Sequence, residues 1–358
     1  MFRSSNQTIT YPIHWTAILL ATFLIILPGC QAKKKSDSES GGGESSSQSS
    51  DLNSQTRVAA LSSLPEIQGN DFSAGSDSAT SGKFTEMTPE NTGIDYVNKW
   101  EVTEENSAAF GTSYIANGVT IGDYDADGKP DVYVTGQQDG GRLYRNLGNM
   151  EFEDVTSKVG IDPAGMWSVG AAFVDLNNDG KLDIYVYGYG CPNRLYINEG
   201  SNFVESAEAF GLDYNGASVS AAFADYDLDG DLDIYLVTNR LDTKRQPKLP
   251  NEPITFRNGN GQISLNPKFR EYFFLMQHPE KGIINEPGGE FDHLFRNDGG
   301  KFTDVSKETR IGEMAFMGLS ANWWDYNDDG LPDLYVANDF KGADMLYRNN
   351  GKLSLIHI

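Results

Sequence analysis

One nine-residue pattern, D-x-[DN]-x-D-G-x-x-D, occurs four times in this 358-residue chain, and each copy runs directly into an apolar segment. The copies begin at Asp123, Asp175, Asp225 and Asp325. A second marker, L-[YF]-x-N, begins 20, 20, 69 and 21 residues after the start of each acidic loop, and the next loop begins 32, 30 and 31 residues after each marker. The chain is therefore a tandem repeat with a period of about 50 residues, whose third unit carries an insertion at about 240–292.

Each unit is predicted to form four short strands. One strand leads into the acidic loop, a second leaves it, the marker lies on a third, and a run such as Phe-Val-Glu-Ser forms the fourth. Alternating apolar and aromatic residues between Gly, Pro and Asn turns are typical of strands joined as hairpins. Four-stranded units of this length match the blades of a β-propeller, with a solenoid or a sandwich as the alternative. We therefore predict an all-β propeller with at least four blades.

The acidic loops are predicted to bind calcium. Carboxylates crowded this closely repel one another, so a hard divalent cation is expected to neutralise them. Calcium takes about six to eight oxygen ligands, and the glycine at position 6 permits the sharp turn that short side chains need. An EF-hand would require Glu at position 12, where this chain has Val or Leu, so each loop is predicted to join two strands and hold about one Ca²⁺. The predicted ligands are Asp123, Asp125, Asp127, Asp131, Asp175, Asn177, Asp179, Asp183, Asp225, Asp227, Asp229, Asp233, Asp325, Asn327, Asp329 and Asp333.

The N-terminus is predicted to direct export. Residues 17–27 form an apolar run too short to span a bilayer, and Leu-Pro-Gly-Cys follows it, ending at Cys30. This resembles the bacterial lipobox, which implies cleavage before Cys30 and lipidation of its thiol; an ordinary secretory signal or an uncleaved anchor is the alternative. We expect residues 1–29 to be a signal peptide and 30–82 a disordered Ser/Gly-rich tether. The protein is then expected in the bacterial cell envelope, lipid-anchored in the outer membrane or at the cell surface.

The net charge bears on the possible partners, and the cysteine content bears on the source of stability. The formal net charge is −23, from 28 basic and 51 acidic residues, which excludes nucleic acid as a natural partner because phosphates require a basic face. If Cys30 carries lipid, Cys191 has no partner within the chain, so no disulfide framework is expected. Stability must then come from the core or from metal.

The repeats resemble a known family. They are similar to FG-GAP or VCBS repeats, which are β-propeller blades with a calcium loop at the blade edge. The stretch GVTIGDYDADGKPDVYVTG with LYRNLGNMEFEDVTSKVGI resembles more closely the bacterial exported proteins grouped with cartilage acidic protein, many of which end in an ASPIC/UnbV domain. The resemblance covers residues 83–352 and implies a calcium-binding propeller. It departs from the family in retaining "FG" only at 110–111 and 210–211 and in lacking "GAP" and the UnbV domain.

Two terminal segments bear on the closure of the propeller. KFTEMT, residues 83–88, copies a fourth strand without the first three, and we expect it to complete the last blade. LSLIHI, residues 353–358, matches one reading frame of a common transposase sequencing adapter and is predicted to be an artefact, with a genuine final strand as the alternative. The chain is then expected to be truncated from a propeller of roughly seven or eight blades.

No catalytic residues are predicted. The chain lacks G-x-S-x-G, HExxH, Walker and C-x-x-C motifs, and within the repeats only His278 and His293 are present. A module that binds or adheres to a protein or glycan is favoured, with a calcium-dependent polysaccharide lyase or hydrolase as the alternative.

The insertion is the candidate recognition segment. It holds three consecutive aromatic residues, 272–274, together with Arg257, Lys268 and Arg270. Long excursions from a rigid scaffold often carry binding residues, and a local mini-core around the aromatic residues is the alternative. Tyr133, Tyr185, Tyr235 and Tyr335, which recur two residues after each closing aspartate, are predicted to pack between blades.

Overall fold

A computed structural model of the chain describes residues 86–99, 117–240, 251–270, 272–311, 315–339, 342–351 and 355–357. They belong to one unit, Ser81–Ile358. The predicted signal peptide, Cys30 and the tether lie outside the described residues, as do residues 83–85 and parts of the insertion. In the part of the chain that is described, no helix has both the length and the hydropathy needed to cross a bilayer.

The described strands form successive antiparallel blades in chain order. The first blade consists of β1 (Val119–Gly122), β2 (Asp131–Thr135), β3 (Gly141–Gly148) and β4 (Glu151–Asp154). The second consists of β5 (Ser168–Val174), β6 (Asp183–Pro192), β7 (Arg194–Asn198) and β8 (Phe203–Glu205). The third begins with β9 (Asn215–Ala224) and β10 (Asp233–Thr238), and the start of β9 also pairs with the end of β6, which joins the second and third blades into one eight-stranded sheet.

The chain then leaves the third blade to form two hairpins. These are β11 (Thr255–Arg257) with β12 (Ile263–Leu265), and β13 (Phe273–His278) with β14 (Gly282–Pro287). It returns as β15 (His293–Asn297) and β16 (Phe302–Asp304), which complete the third blade. The fourth blade consists of β17 (Gly318–Trp324), β18 (Asp333–Asn338), β19 (Met345–Asn349) and β20 (Leu355–His357).

The residues that face each side of a strand explain how the blades stack. In β6, Ile184 and Val186 enter the core shared with the first blade, whereas Tyr185 enters the core shared with the third. Side chains alternate in direction along a strand, so both faces of a blade are buried and the middle strands are continuously apolar. A third core lies between the third and fourth blades. The all-β, partial-propeller fold predicted from the repeats is confirmed.

The repeated tyrosines occupy these cores. Tyr133, Tyr185 and Tyr235 are each 0% exposed, which confirms that they pack between blades. Tyr335, on the fourth blade, is half-buried. Trp323, for which the repeat pattern offers no role, stacks on Tyr226 with a centroid separation of 6.2 Å, and its indole N–H donates to the Ala222 carbonyl at 3.3 Å. It therefore ties the fourth blade to the third.

Short helical turns pack against the blades, and two of them directly follow a fourth strand. α1 (Pro89–Thr92) is followed by Gly93, whose φ of 77° is left-handed, and Gly93 lies against the Phe152 carbonyl of β4. α2 (Ala207–Phe210) is followed by Gly211, φ 79°, which lies against the Phe302 carbonyl of β16. The segment 86–99 therefore lies on the first blade as α2 lies on the third. A third such turn is α3 (Ser306–Thr309).

The terminal predictions have mixed outcomes. Residues 86–88, the described part of the segment expected to be a fourth strand, are irregular. Residues 355–357 pair with β19 as the fourth strand of their blade, as expected for the alternative of a genuine strand. The origin of 353–358 as an artefact stays a prediction.

Candidate metal loops

Each acidic pattern forms the hairpin loop between the first and second strands of its blade. The four loops are loop 1 (123–131), loop 2 (175–183), loop 3 (225–233) and loop 4 (325–333). The closing aspartate of loop 2, Asp183, pairs with Val174 at the end of β5, and the other three loops have the same register. The loops thus pass directly into strands, as predicted from the absence of an EF-hand glutamate.

The first aspartate organises the backbone of each loop. In loop 2, Asp175 Oδ1 accepts the N–H of Asp179 at 3.1 Å and Oδ2 accepts that of Gly180 at 2.8 Å. Loops 1, 3 and 4 repeat both hydrogen bonds at 2.7–3.1 Å. In loops 1 and 3 this turn brings together the ligand oxygens at positions 1, 3 and 5.

Two left-handed residues produce the sharp turn. The glycine at position 6 has φ of 83°, 83°, 100° and 85° in loops 1 to 4, as the sequence predicted. The residue at position 4 is also left-handed in each loop, at Ala126, Asn178, Leu228 and Asp328, with φ of 56–61°. Alanine and leucine disfavour this conformation, so the hydrogen bonds of the first aspartate must hold it in place.

The closing aspartates at position 9 have a different environment. Asp131, Asp183, Asp233 and Asp333 are each 0% exposed. Asp183 Oδ2 accepts the N–H of Leu176 at 3.1 Å, and Oδ1 accepts that of Asn198 at 2.8 Å. Burial raises the pKa of Asp131 and of Asp183 to about 6, against the opposing effect of these two backbone donors. The closing carboxylates therefore lie at the buried base of each loop, and their role as metal ligands stays a prediction.

The marker asparagine links this base to the neighbouring blade. Asn198 Oδ1 accepts the N–H of Gly200 at 2.8 Å, while its Nδ2 donates to the Tyr124 carbonyl in loop 1, also at 2.8 Å. Asn297 reaches Leu176 in loop 2 at 3.1 Å, and Asn349 reaches Tyr226 in loop 3 at 2.6 Å. The marker recurs once in every unit of the sequence, and this recurrence is the signal that it and the acidic loop form one hydrogen-bonded unit.

The exposed arc of each loop, positions 1, 3 and 5, has the donor set of a calcium site. The ligand atoms of Asp123, Asp125 and Asp127 lie within 4.8 Å of one another, and those of Asp225, Asp227 and Asp229 do the same. Loops 2 and 4 have an asparagine at position 3, whose amide supplies a neutral oxygen. In loop 3, Asp227 Oδ1 is buried without a hydrogen-bond partner. Oxygen-only donors and an unsatisfied buried carboxylate oxygen both fit a hard cation.

The two histidines of the repeats have structural roles. His293 Nδ1 lies 2.8 Å from Asp304 Oδ2, a pair between the third and fourth strands that corresponds to Arg142 and Asp154, 3.7 Å apart, in the first blade. Although burial opposes it, hydrogen bonding to His293 lowers the pKa of Asp304 to about 2. His278 Nδ1 accepts two backbone N–H groups in the exposed turn between β13 and β14. Neither arrangement requires a catalytic role.

The insertion packs onto the propeller through its second hairpin. Phe274 is 6% exposed and meets Phe316 edge to face at 5.0 Å, and Phe269 is 1% exposed. This confirms the mini-core alternative for Phe274. The Glu290 N–H donates to the Asn239 carbonyl at 2.7 Å, so the insertion leaves and rejoins the blade at adjacent points.

A cavity of about 190 Å³ lies where the insertion meets the fourth blade. Its lining includes Arg240, Phe274, Glu286, Met317 and Asp339. It thus combines an apolar wall with charged groups of both signs at the base of the insertion.

Comparisons with known proteins support the repeats. A family described as FG-GAP-like repeat matches residues 123–186 and 187–236. Cartilage acidic protein 1 from Mus musculus is 31% identical over 80 residues, and the Homo sapiens protein is 30% identical over 80. Each alignment covers 22% of this chain and 12% of the relative, so the chain matches only a small part of their length. The chain therefore contains FG-GAP-like repeats and resembles cartilage acidic protein 1.

One solved structure concerns specific recognition of non-reducing terminal N-acetylglucosamine by an Agrocybe aegerita lectin. It matches with a TM-score of 0.28 and 16% identity, covering 67% of this chain and 64% of that chain. Similarity at this level does not establish a shared fold. The FG-GAP-like repeats themselves indicate a propeller-type binding module.

Proposed function

We propose that this FG-GAP-repeat protein is an exported, lipid-anchored, calcium-binding β-propeller that binds a protein or glycan at the bacterial cell envelope. The observation that carries the calcium part is the fourfold recurrence of one loop geometry, in which the first aspartate fixes the backbone and the arc presents oxygen ligands. A solvent-exposed Asp-Gly turn has no need of metal ligands, so it does not explain why all four loops have an oxygen-bearing side chain at positions 1, 3, 5 and 9.

Calcium is expected to act as a folding ligand. An ion that binds only the folded chain stabilises it by about 2.7 kcal/mol per site at a hundred times its dissociation constant. We expect the melting temperature to fall in EGTA, to recover with Ca²⁺ and to recover poorly with Mg²⁺, which prefers a smaller octahedral site. Differential scanning calorimetry measures this directly. A melting temperature that EGTA leaves unchanged would remove calcium from the proposal.

The insertion and the adjoining cavity are proposed as the partner-binding region. Because Asn239 and Glu290 are hydrogen-bonded neighbours, a short Gly-Ser linker can replace residues 251–287 without straining the backbone of the third blade. We expect glycan and peptide arrays probed in Ca²⁺ to show ligands for the intact protein that the linker variant loses. The control is the calcium-dependent melting of the variant, which should persist because the loops lie elsewhere. Equal array signals would place recognition outside the insertion.

The lipid anchor is proposed from the Leu-Pro-Gly-Cys sequence alone. We expect metabolic labelling with palmitate in a bacterial host, and loss of both the label and membrane association in Cys30→Ser. Labelling that survives this substitution would contradict the proposal.

A further inference from the structure

We infer that the third residue of the L-[YF]-x-N marker, an arginine in the first and third blades, sets how strongly the acidic loop of the same blade takes a divalent cation. This inference rests on the proposed calcium binding and ranks the loops, placing loop 3 above loop 1. The two loops form a fair comparison because both carry aspartate at positions 1, 3, 5 and 9. Their differences therefore lie in the surroundings.

Loop 1 already has protein cations on its arc. The marker residue Arg145 places Nε at 2.5 Å from Asp125 Oδ2 and a terminal guanidinium nitrogen at 3.0 Å from Asp127 Oδ2. Lys129, at position 7, lies 2.9 Å from the same Asp127 oxygen. A divalent ion that takes these two Oδ2 atoms must compete with both cations, which weakens its net binding.

In loop 3 the corresponding arginine is held elsewhere. Arg296 makes a bidentate pair with Asp298, its Nε lying 3.0 Å from Oδ1 and its terminal nitrogen 3.0 Å from Oδ2. Asp298 is the second residue after Arg296, and the first blade has Leu147 at the corresponding place. The choice between aspartate and leucine there decides whether the arginine pairs along its own strand or reaches the loop.

Position 7 strengthens the same contrast. Loop 3 has Asp231 where loop 1 has Lys129, and Asp231 accepts hydrogen bonds from Asn178 at 2.6 Å and from the Gly299 N–H at 2.8 Å. No side-chain cation of the described chain is paired with the loop 3 arc in the way that Lys129 and Arg145 pair with loop 1. The negative charge of loop 3 is therefore less compensated by the protein.

Unsatisfied polar atoms beside the loop 3 arc give independent support. Asp227 Oδ1 and the hydroxyl of Tyr226 are both buried without a hydrogen-bond partner, although Tyr226 is only 2% exposed. Both residues line one cavity of about 60 Å³. Burying such groups unpaired is costly, and a cation bound beside them would supply a partner for the carboxylate oxygen.

Four single substitutions in the full chain test the inference by calcium titration calorimetry. Arg145→Met removes the guanidinium from loop 1, and Leu147→Asp gives Arg145 the partner that Arg296 has. Each should tighten one binding step about five- to tenfold, which corresponds to about 1 kcal/mol of ion pairing. Asp298→Leu frees Arg296 and should weaken one step by a similar factor. Arg296→Met is the matched control and should leave every step within about twofold.

The outcomes separate this inference from the proposed function. If neither the wild-type chain nor any of the four variants binds calcium, the proposed calcium function is wrong. If wild type binds calcium but Arg145→Met and Leu147→Asp leave every step unchanged, or if Arg296→Met tightens binding as much as Arg145→Met does, the ranking fails. Circular dichroism and melting in EGTA check folding. Because all four side chains are partly exposed or at the surface, a variant whose melting temperature in EGTA is unchanged gives a clean affinity comparison.

Discussion

Each acidic loop has two parts with opposite surroundings. At the base, the closing carboxylate is fully buried, and its two oxygens accept one N–H from the loop and one from the marker asparagine. On the arc, positions 1, 3 and 5 are half-buried or exposed and accept hydrogen bonds from backbone N–H groups of the loop itself.

Aspartate therefore has two different roles within each nine-residue loop. The base joins the hairpin to the third strand and so belongs to the fold with or without metal. The arc gathers like charges at the surface, where the protein gains little from them unless a cation is bound.

The largest expected effect comes from removing a base carboxylate. Asp183→Ala leaves two buried N–H groups without acceptors, at about 1–3 kcal/mol each, so we expect the free energy of unfolding in EGTA to fall by about 3 kcal/mol or more. The exposed Asp179→Ala should cost about 0.5 kcal/mol or less in EGTA and instead remove the calcium-dependent gain of loop 2. Urea unfolding with EGTA and with Ca²⁺ distinguishes the two.

Similar losses in EGTA for both variants would break the division between base and arc. If Asp183→Ala does not fold, Asp183→Asn retains one acceptor oxygen and should show an intermediate loss, measured in the same way.

A smaller effect is expected at the marker asparagine. Asn198→Ala removes the donor to Tyr124 in the preceding loop and the donor to Leu182, leaving both carbonyls unpaired, so we expect a loss of about 1–3 kcal/mol in unfolding free energy. Asn146→Ala is the matched control, because Asn146 Nδ2 donates to Pro130 in its own blade at an exposed position and should cost less. Equal losses would mean that the link between blades adds nothing to stability.

The sequence predicted the repeat, the hairpin position of the loops and the packing of the tyrosines because each depends on a local period. Residues two apart on a strand face the same side, so Tyr133, Tyr185 and Tyr235 follow from counting. The left-handed residue at position 4 was missed, since Ala126 and Leu228 give no compositional sign of it.

The division between base and arc could not be predicted, because all four aspartates of a loop look alike in sequence. Asp183 is buried through its bond to Asn198, 15 residues away, and Asn198 in turn depends on Tyr124, 74 residues away. The sequence does hold the difference between Arg145, which pairs with the loop, and Arg296, which pairs with Asp298, because Leu147 and Asp298 stand two places further on; without the structure, nothing connected these residues to the loops.

The smallest predicted effect concerns a buried carboxylate that lies away from any metal loop. Asp292 precedes β15 and accepts hydrogen bonds from Tyr235 Oη and the Thr238 N–H, both at 2.7 Å. Burial raises its pKa to about 6, above the unfolded value of about 3.9. The folded chain thus keeps a proton that the unfolded chain has released, so this group's contribution to stability falls as pH rises from about 4 to about 6 and is level above that.

Asp292→Asn should remove this fall. At the corresponding position of the second blade, Asn193 Nδ2 donates to Tyr185 Oη at 2.9 Å and Oδ1 accepts the Gly188 N–H at 2.9 Å, so an amide suits the site. We expect a gain of up to about 1 kcal/mol in unfolding free energy at pH 7 and no gain at pH 4, measured by urea unfolding in EGTA.

Asp344→Asn in the fourth blade is the control. Asp344 is exposed, and its hydrogen bond from Tyr335 lowers its pKa, so its amide variant should show no gain at pH 7. A gain at both positions would mean that charge at this point of the repeat, rather than burial, is unfavourable.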